Sequence, residues 1–153
     1  MLAVKSRLTV LERQIDLSCS TKDAEVASNL RCFGAVLICG FVERSVEVVL
    51  LERLRDRAHP SVLKFVRSHL VRGRNYNCDN ILQLLYRFDS KWGRNFDNFK
   101  KNHEKEAQAL ASMYSVRNSV AHGNTADISE VKIKGWLEDA KKIIDALIFA
   151  TQQ

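Results

Sequence analysis

An arginine, an asparagine and a histidine stand within six positions of one another in the stretch Ser115–Gly123. They are Arg117, Asn118 and His122. An arginine near a histidine suits metal-free phosphodiester chemistry, because the guanidinium neutralises crowded phosphoryl oxygens in the transition state and the imidazole acts as general acid or base. RNA carries its own nucleophile in the adjacent 2′-OH, so this chemistry needs no metal ion and no cofactor.

These three residues do not all share one face of an ideal helix. At roughly 100° per residue, Asn118 and His122 lie on the same face, so the amide can orient the imidazole. Arg117 and His122 diverge by roughly 140° on the same arithmetic. Either the helix ends near Ala121, or a second copy of the chain completes the pair.

Arg117 falls in the middle of a broad apolar arc of the helical wheel. The other members of that arc are Leu110, Met113, Tyr114, Val116, Val120 and Ala121. A buried arginine must be paired, and an apolar arc wider than one core face indicates burial on two sides, by the core and by a partner. We therefore expect this helix to lie at a symmetric interface.

Glu43 directly follows an apolar pair of residues and has two interpretations. It is either an exposed acid, or a carboxylate that faces Arg117 and supports it. Spacing alone also allows a purely structural role for the whole motif, in which Arg117 forms a core salt bridge with Glu43. His122 would then be a C-capping residue before Gly123, which suits the left-handed position after a helix.

The composition predicts an all-α fold. The 153 residues include one proline and six glycines, so few positions require a helix to break. We expect a single domain over residues 1–153. The first helix is predicted over Leu2 to about Leu17. The second follows a capping box in which Ser20 is the capping residue and Asp23 the acidic partner, and it extends to Arg57. Further helices are predicted over Ser61 to Leu70, Cys78 or Asp79 to Phe88, Asn102 to the Ser115–Gly123 stretch, and onward from Asp127. Arg72–Asn77 is predicted as a loop.

The middle of the chain is basic. Between Arg53 and Lys105 there are 13 Lys and Arg residues against 5 Asp and Glu, which favours an anionic partner such as nucleic acid. Within it Arg94, Lys100 and Lys101 are candidate RNA-binding residues. The aromatic residues interleaved with them either stack on unpaired bases or are core residues that anchor a basic segment; they are Trp92, Phe96 and Phe99.

Nothing in the sequence indicates a membrane or secreted protein. No apolar segment follows the charged start of the chain, and the most hydrophobic window, Ala35–Val42, is far shorter than the about 20 residues that span a bilayer. The four cysteines form no CxxC pair and have no metal-finger spacing, which favours buried thiols in a reducing cytoplasm. No HExxH-like spacing supports a metal hydrolase.

The order Arg117, Asn118, two residues, Ala121, His122, Gly123, late in a helical chain, resembles the HEPN superfamily. That family's motif is an arginine, four to six residues and a histidine, often with a polar residue directly after the arginine. The pattern most resembles the group called RiboL-PSP HEPN. The similarity extends over most of residues 24–150, including the apolar helix with Glu43 and the aromatic-basic stretch.

The resemblance implies an up-and-down bundle of four to five main helices plus short ones, which dimerises so that two motifs meet. It also implies a metal-independent endoribonuclease of a toxin–antitoxin, abortive-infection or other defence system. Arg117, His122 and Asn118 would be its catalytic residues. The alternative is a non-catalytic HEPN module that dimerises or binds a partner such as a nucleotidyltransferase antitoxin or a larger defence complex.

Overall fold

The computed structural model describes residues 2–70 and 75–152 of the chain. These residues form seven α-helices and no strand, so the predicted all-α fold is confirmed. The helices are α1 (Leu2–Ser20), α2 (Ala24–Leu54), α3 (Pro60–Leu70), α4 (Cys78–Phe88), α5 (Ser90–Asn102), α6 (Glu104–Ala121) and α7 (Glu130–Ala150). One hydrophobic cluster includes side chains from every one of these helices.

Helix α2 is the longest element and packs against α1, α3, α6 and α7. Small and branched apolar residues follow one another at its centre, and Ala35, Ile38 and Val42 are fully buried there. One stripe of α2 stays open, however: Phe33 is 52% exposed, and Gly40 is exposed as well. The other helices therefore cover α2 on most sides but not all round.

A side-chain cap at Asp23 starts α2. Its Oδ1 accepts hydrogen bonds from the N–H groups of Glu25 (2.9 Å) and Val26 (3.0 Å). The prediction of Ser20 as the capping residue is wrong, because Ser20 is the last residue of α1 and its hydroxyl donates to the Leu17 carbonyl. Helix α1 therefore runs three residues further than its apolar pattern indicated.

Helices α6 and α7 also begin at other residues than predicted. Helix α5 continues through Asn102, so the N-cap position of α6 falls on His103, which makes no side-chain capping bond. In α7 the Ser129 hydroxyl accepts from the Lys132 N–H at 3.2 Å, and Asp127 lies before the cap. Several polar residues near each boundary suit a cap, and spacing alone does not choose among them.

Helices α3, α4 and α5 make up most of the basic middle. The boundary predicted at Pro60 is where α3 begins. Of the predicted loop, residues 72–74 lie outside the described residues, and residues 75–77 have no regular structure. Trp92 is 3% and Phe96 0% exposed, so these two aromatic residues of α5 belong to the core.

The cysteines are free thiols: Cys32, Cys39 and Cys78 are buried, and Cys19 is half-buried. Their burial agrees with the interpretation of small core thiols. None of the helices in the described ranges combines the length and the apolar character needed to span a membrane.

Candidate active site at the end of helix α6

Helix α6 ends in a Schellman motif that fixes the backbone on both sides of His122. Gly123 has a left-handed φ of 81°, and its N–H donates to the Val120 carbonyl oxygen over 3.0 Å. The next N–H donates to the Ser119 carbonyl oxygen over 3.1 Å. Glycine suits this position because it has no Cβ to clash at positive φ. The predictions that the helix ends near Ala121 and that Gly123 follows it in the left-handed position are confirmed.

The loop after His122 is held against α2. Arg31 Nε donates to the Ile128 carbonyl oxygen at 2.5 Å, and the Cys32 thiol donates to the Ala126 carbonyl oxygen at 3.1 Å. Ile128 itself is buried in the core. Sequence reasoning missed these contacts, because they join residues more than 90 positions apart and no motif marks them. They restrain the segment that carries His122 from its C-terminal side.

The side chain of Arg117, on α6, is half-buried facing α2 and is only loosely paired with a carboxylate of that helix. Its Nη2 is 3.8 Å from Oε1 of Glu43, and its Nη1 donates to Oδ1 of Asn118 over 3.2 Å. The side chains of Arg117 and Glu43 are 31% and 25% exposed. Since 3.8 Å exceeds a hydrogen-bond distance, Glu43 balances the charge of the guanidinium without occupying its donors. Arg117 therefore keeps donors for an incoming anion.

Glu43 faces Arg117, as one of its two interpretations anticipated. Its Oε1 is buried and accepts no hydrogen bond from any described residue. Burial raises the pKa of the Glu43 carboxyl above its ordinary value, and the neighbouring Arg117 partly offsets that shift. The carboxylate thus has an unused acceptor directed at the half-buried arginine.

Two further titratable groups lie beneath this pair. Tyr114, 3% exposed and one turn before Arg117, has a buried hydroxyl that lacks a hydrogen bond within the described part of the chain. Burial, followed by the charge of Glu43, raises the pKa of Tyr114 far above its ordinary value, and the nearby backbone of Tyr76 acts less strongly in the opposite direction. Burial likewise raises the pKa of Cys39 to about 12, with Glu43 adding to the effect. Both groups stay protonated at neutral pH, so neither acts as a base.

The side-chain amide of Asn118 is hydrogen-bonded to the guanidinium of Arg117 and not to the imidazole of His122. Its Oδ1 accepts from Arg117, and its main-chain oxygen accepts from the His122 N–H at 3.2 Å. His122 is exposed, and no hydrogen bond to its imidazole is present among the described residues. The predicted orientation of the imidazole by the Asn118 amide is therefore absent from this structure, since the C-cap residue lies beyond the last regular turn.

The surface around the motif is only half covered. Residues 116–120 are all partly exposed, including the apolar Val116 and Val120, and Ala121 is exposed. The wide apolar arc of α6 is thus buried on one side by the core, while its other edge is open in the single chain.

The three candidate RNA-binding residues lie elsewhere on the protomer. Arg94 is exposed on α5, Lys101 pairs with Asp97 at 2.7 Å, and Lys100 pairs with Asp79. Lys100 shares a surface depression with residues 107, 108 and 111 of α6. The nine residues from position 108 to Arg117 correspond to roughly 13 Å of helix axis. Within one protomer these cations therefore do not surround Arg117.

No group of three or more His, Cys, Asp or Glu side chains in residues 2–70 and 75–152 is placed to hold a metal ion. A family model described as RiboL-PSP-HEPN matches residues 3–148, which confirms the resemblance noted from the motif. No curated protein and no solved structure matches the chain.

Proposed function

The chain belongs to the RiboL-PSP-HEPN family, and on that premise we propose that it is a metal-independent endoribonuclease whose active site forms when two copies pair through α6. The observation that carries the proposal is the state of Arg117. It is a half-buried cation whose neighbouring carboxylate, on Glu43, lies 3.8 Å from Nη2, beyond hydrogen-bond distance, while Nη1 donates to Asn118. Such a group suits a phosphoryl oxygen better than it suits a structural salt bridge.

In the proposed reaction the ribose 2′-OH attacks the adjacent phosphorus, and the bond from phosphorus to the 5′ oxygen breaks. The products are a 2′,3′-cyclic phosphate and a 5′-hydroxyl end. Arg117 stabilises the negative charge that collects on the non-bridging oxygens in the transition state. One His122 removes the proton of the 2′-OH, and a second His122 protonates the leaving oxygen.

Pairing of two chains is proposed because one chain supplies a single His122, whereas the reaction needs both a proton acceptor and a proton donor. The open apolar edge of α6 at Val116 and Val120 favours a second α6 as its cover. A two-fold axis beside this edge would bring both motifs to one groove. Each phosphate would then meet two arginines and two histidines.

Glu43 and Asn118 are assigned supporting and catalytic roles around Arg117. From α2, the Glu43 carboxylate balances the charge of Arg117 in the free protein and restrains the position of the guanidinium. The Asn118 amide holds Nη1 through its oxygen and has its nitrogen left to donate to the phosphate or to the imidazole. Arg94, Lys100 and Lys101 would hold more distant phosphates, since exposed ion pairs of the kind at Lys101 exchange partners at little cost.

We further propose that the protein is a cytoplasmic toxin or abortive-infection effector that an antitoxin or larger defence complex restrains, and the family membership supports this role. The other HEPN role, a non-catalytic interaction module, uses the same open edge of α6. It predicts clean wild-type protein that associates with a partner and cleaves no RNA.

The test is cleavage of end-labelled RNA by purified wild-type, Arg117→Ala and His122→Ala proteins in EDTA. We expect cleavage by the wild type alone, a cyclic phosphate at the new 3′ end, and protection of a phosphodiester whose 2′-OH is replaced by hydrogen. Equal cleavage by either variant would remove the proposal. Lack of cleavage by the folded wild-type dimer would favour the interaction module.

A further inference from the structure

Helix α3 (Pro60–Leu70) is exposed along nearly its whole length. Leu70 is its only buried residue, and the helix packs chiefly against α2. Phe65 is 63% exposed and Val62 is 49% exposed. Large apolar side chains this open on a peripheral helix indicate a surface that binds something.

The aromatic part of this surface is built from two rings. The Phe65 and His69 ring centroids are 4.2 Å apart with 43° between the planes, and Nδ1 of His69 lies 3.1 Å from the Phe65 carbonyl oxygen. Val62 points within roughly 60° of Phe65 on the same helix. Val62, Phe65 and His69 therefore share one solvent-exposed side of α3, which we call the platform.

The charged side chains of α3 itself are all positive. Helix α3 contains no Asp or Glu, and it carries exposed Lys64 and Arg67. Neither cation forms an ion pair with a described residue. On the helical wheel both lie to the same side of Phe65, by roughly 100° and 160°. A ligand that binds this surface of α3 therefore has to carry negative charge beside Lys64 and Arg67 and a flat apolar group over the two rings.

The C-terminal end of α3 is linked to α6 through buried tyrosines. The Tyr76 hydroxyl donates to the Leu70 carbonyl oxygen over 3.1 Å, and the Tyr76 backbone lies next to Tyr114, one turn of α6 before Arg117. Phe65 stands five residues before Leu70, which is roughly 7.5 Å of helix axis. A nucleotide at the platform is here taken to belong to the same strand that passes Arg117.

We propose that α3 is a binding arm for unpaired RNA, on which a base stacks against Phe65 and His69 while Lys64 and Arg67 contact the phosphates. The proposal rests on the ribonuclease function above and names its substrate as single-stranded. In a duplex the bases already stack on one another, so an exposed ring gains nothing from them, whereas a splayed base gains about 1–3 kcal/mol on an aromatic platform. Among the aromatic residues of α5, Trp92 and Phe96 do not offer this because they are buried, and the partly buried Phe99 already stacks on His103.

The first measurement separates stacking from general apolar contact. A fluorescein-labelled oligouridylate is titrated with His122→Ala protein, which is expected to leave the probe intact, and with the same protein carrying Phe65→Leu or Phe65→Trp. We expect about 5- to 150-fold weaker binding for Phe65→Leu and near-unchanged binding for Phe65→Trp. The matched control is Phe149→Leu, because Phe149 is 73% exposed on α7 and should not affect binding.

The second measurement tests the cations. Lys64→Ala with Arg67→Ala should lower the salt dependence of binding, by a slope of about 1.4 for two lost contacts to a single strand. Lys5→Ala with Arg13→Ala removes the same charge from exposed positions of α1 and should leave the slope unchanged. A thermal melt of each variant confirms that it is folded.

Wild-type affinity in Phe65→Leu, or equal affinity for a hairpin duplex and the oligouridylate, would overturn the proposal. A change of oligomeric state on Phe65→Leu would also overturn it, because α3 would then be a protein interface. The two proposals fail separately: cleavage with an unchanged KM in Phe65→Leu removes the arm and keeps the ribonuclease. Phe65-dependent binding without cleavage by the wild type removes the ribonuclease.

Discussion

The guanidinium of Arg117 faces the carboxylate of Glu43 across α6 and α2, with 3.8 Å between Nη2 and Oε1, and Oε1 accepts no hydrogen bond from any described residue. A salt bridge that holds two helices together would be closer and would fill both donors and acceptors. This pair instead leaves the guanidinium of Arg117 with donors that can bind an anion. Its contribution to stability and its contribution to activity should therefore be separable.

Replacement of Arg117 by alanine should abolish most activity at little cost in stability. Loss of a transition-state donor lowers kcat by about 10²- to 10³-fold. A loose, partly exposed ion pair contributes about 0–1 kcal/mol, which corresponds to a fall in Tm of at most about 4 °C for a chain of this size. Cleavage rates of wild type and variant measure the loss of activity, and calorimetric melts measure the change in stability.

Arg117→Lys is the matched variant, since it keeps the charge and loses the planar fork of donors. We expect it to melt like the wild type and to recover only part of the lost rate. Destabilisation of Arg117→Ala by several kcal/mol would instead identify a structural arginine, and the proposed role would be wrong.

Glu43→Gln should change how stability depends on pH. Burial raises the pKa of Glu43 in the folded chain above its unfolded value. The folded state therefore binds the proton more tightly, and the free energy of unfolding falls as pH rises from the unfolded pKa through the folded one. Acidification below that window removes the penalty. Glutamine has no charge to desolvate and lacks this component.

Urea unfolding of both proteins across this pH range tests the effect. The difference between wild type and variant is the quantity to follow, because other carboxyls titrate in both. Wild type should gain stability relative to Glu43→Gln as pH falls toward the unfolded pKa. A difference that is flat with pH, or that rises with pH, would show that Arg117 outweighs burial at this carboxyl.

The local features of the site were predictable from the sequence, while the long-range hydrogen bonds that hold its loop were not. Gly123 marks the end of α6 because only a residue without a Cβ adopts positive φ at little cost. Arg117 within an apolar arc required a counter-charge, and Glu43 on the apolar helix was the candidate. In contrast, Arg31 and Cys32 bind carbonyl groups of the loop after His122, and any segment presents such carbonyls. Only the folded chain brings these partners together.

Among helix boundaries and aromatic residues, too, some features follow from the local sequence and others depend on the packing of the folded chain. Pro60 starts α3 through its own covalent geometry. Helix α2 ends earlier, at Leu54 and not at the predicted Arg57, and no proline marks that end. The caps at Asp23 and Ser129 compete with other polar residues nearby, so their positions depend on how far the preceding segment continues. Phe65 and Phe96 both occur in basic stretches, and the packing of α3 and α5 decides that the first is exposed and the second buried.

The four thiols should react in two groups. Burial raises the pKa of Cys39 and of Cys78 to about 12, so both remain protonated as well as enclosed. Cys32 is buried with its thiol hydrogen-bonded to a carbonyl, whereas Cys19 is half-buried. Titration with Ellman's reagent should detect one native thiol and all four in concentrated guanidinium chloride. Modification of Cys19→Ser protein under native conditions would show that α2, which carries Cys32 and Cys39, or the start of α4, which carries Cys78, opens locally.

Gly123→Ala should disturb the motif through the backbone alone. A side chain at φ 81° is strained, although a Cβ there would meet no described atom within 4 Å. The strain costs about 1–2 kcal/mol. The chain relieves it by rotating the residue out of the left-handed region, which breaks the two closing bonds of α6 and releases His122.

Gly135→Ala provides the control, because Gly135 lies inside α7 and a Cβ there also meets nothing within 4 Å. Alanine at a helical glycine stabilises by about 0.5–1 kcal/mol, so this variant should melt higher and cleave RNA at the wild-type rate. Gly123→Ala should lose activity well below its melting transition, with kcat falling and KM nearly unchanged. Full activity in a destabilised Gly123→Ala protein would mean that the position of His122 does not depend on this turn, and the histidine would lose its assigned role in proton transfer.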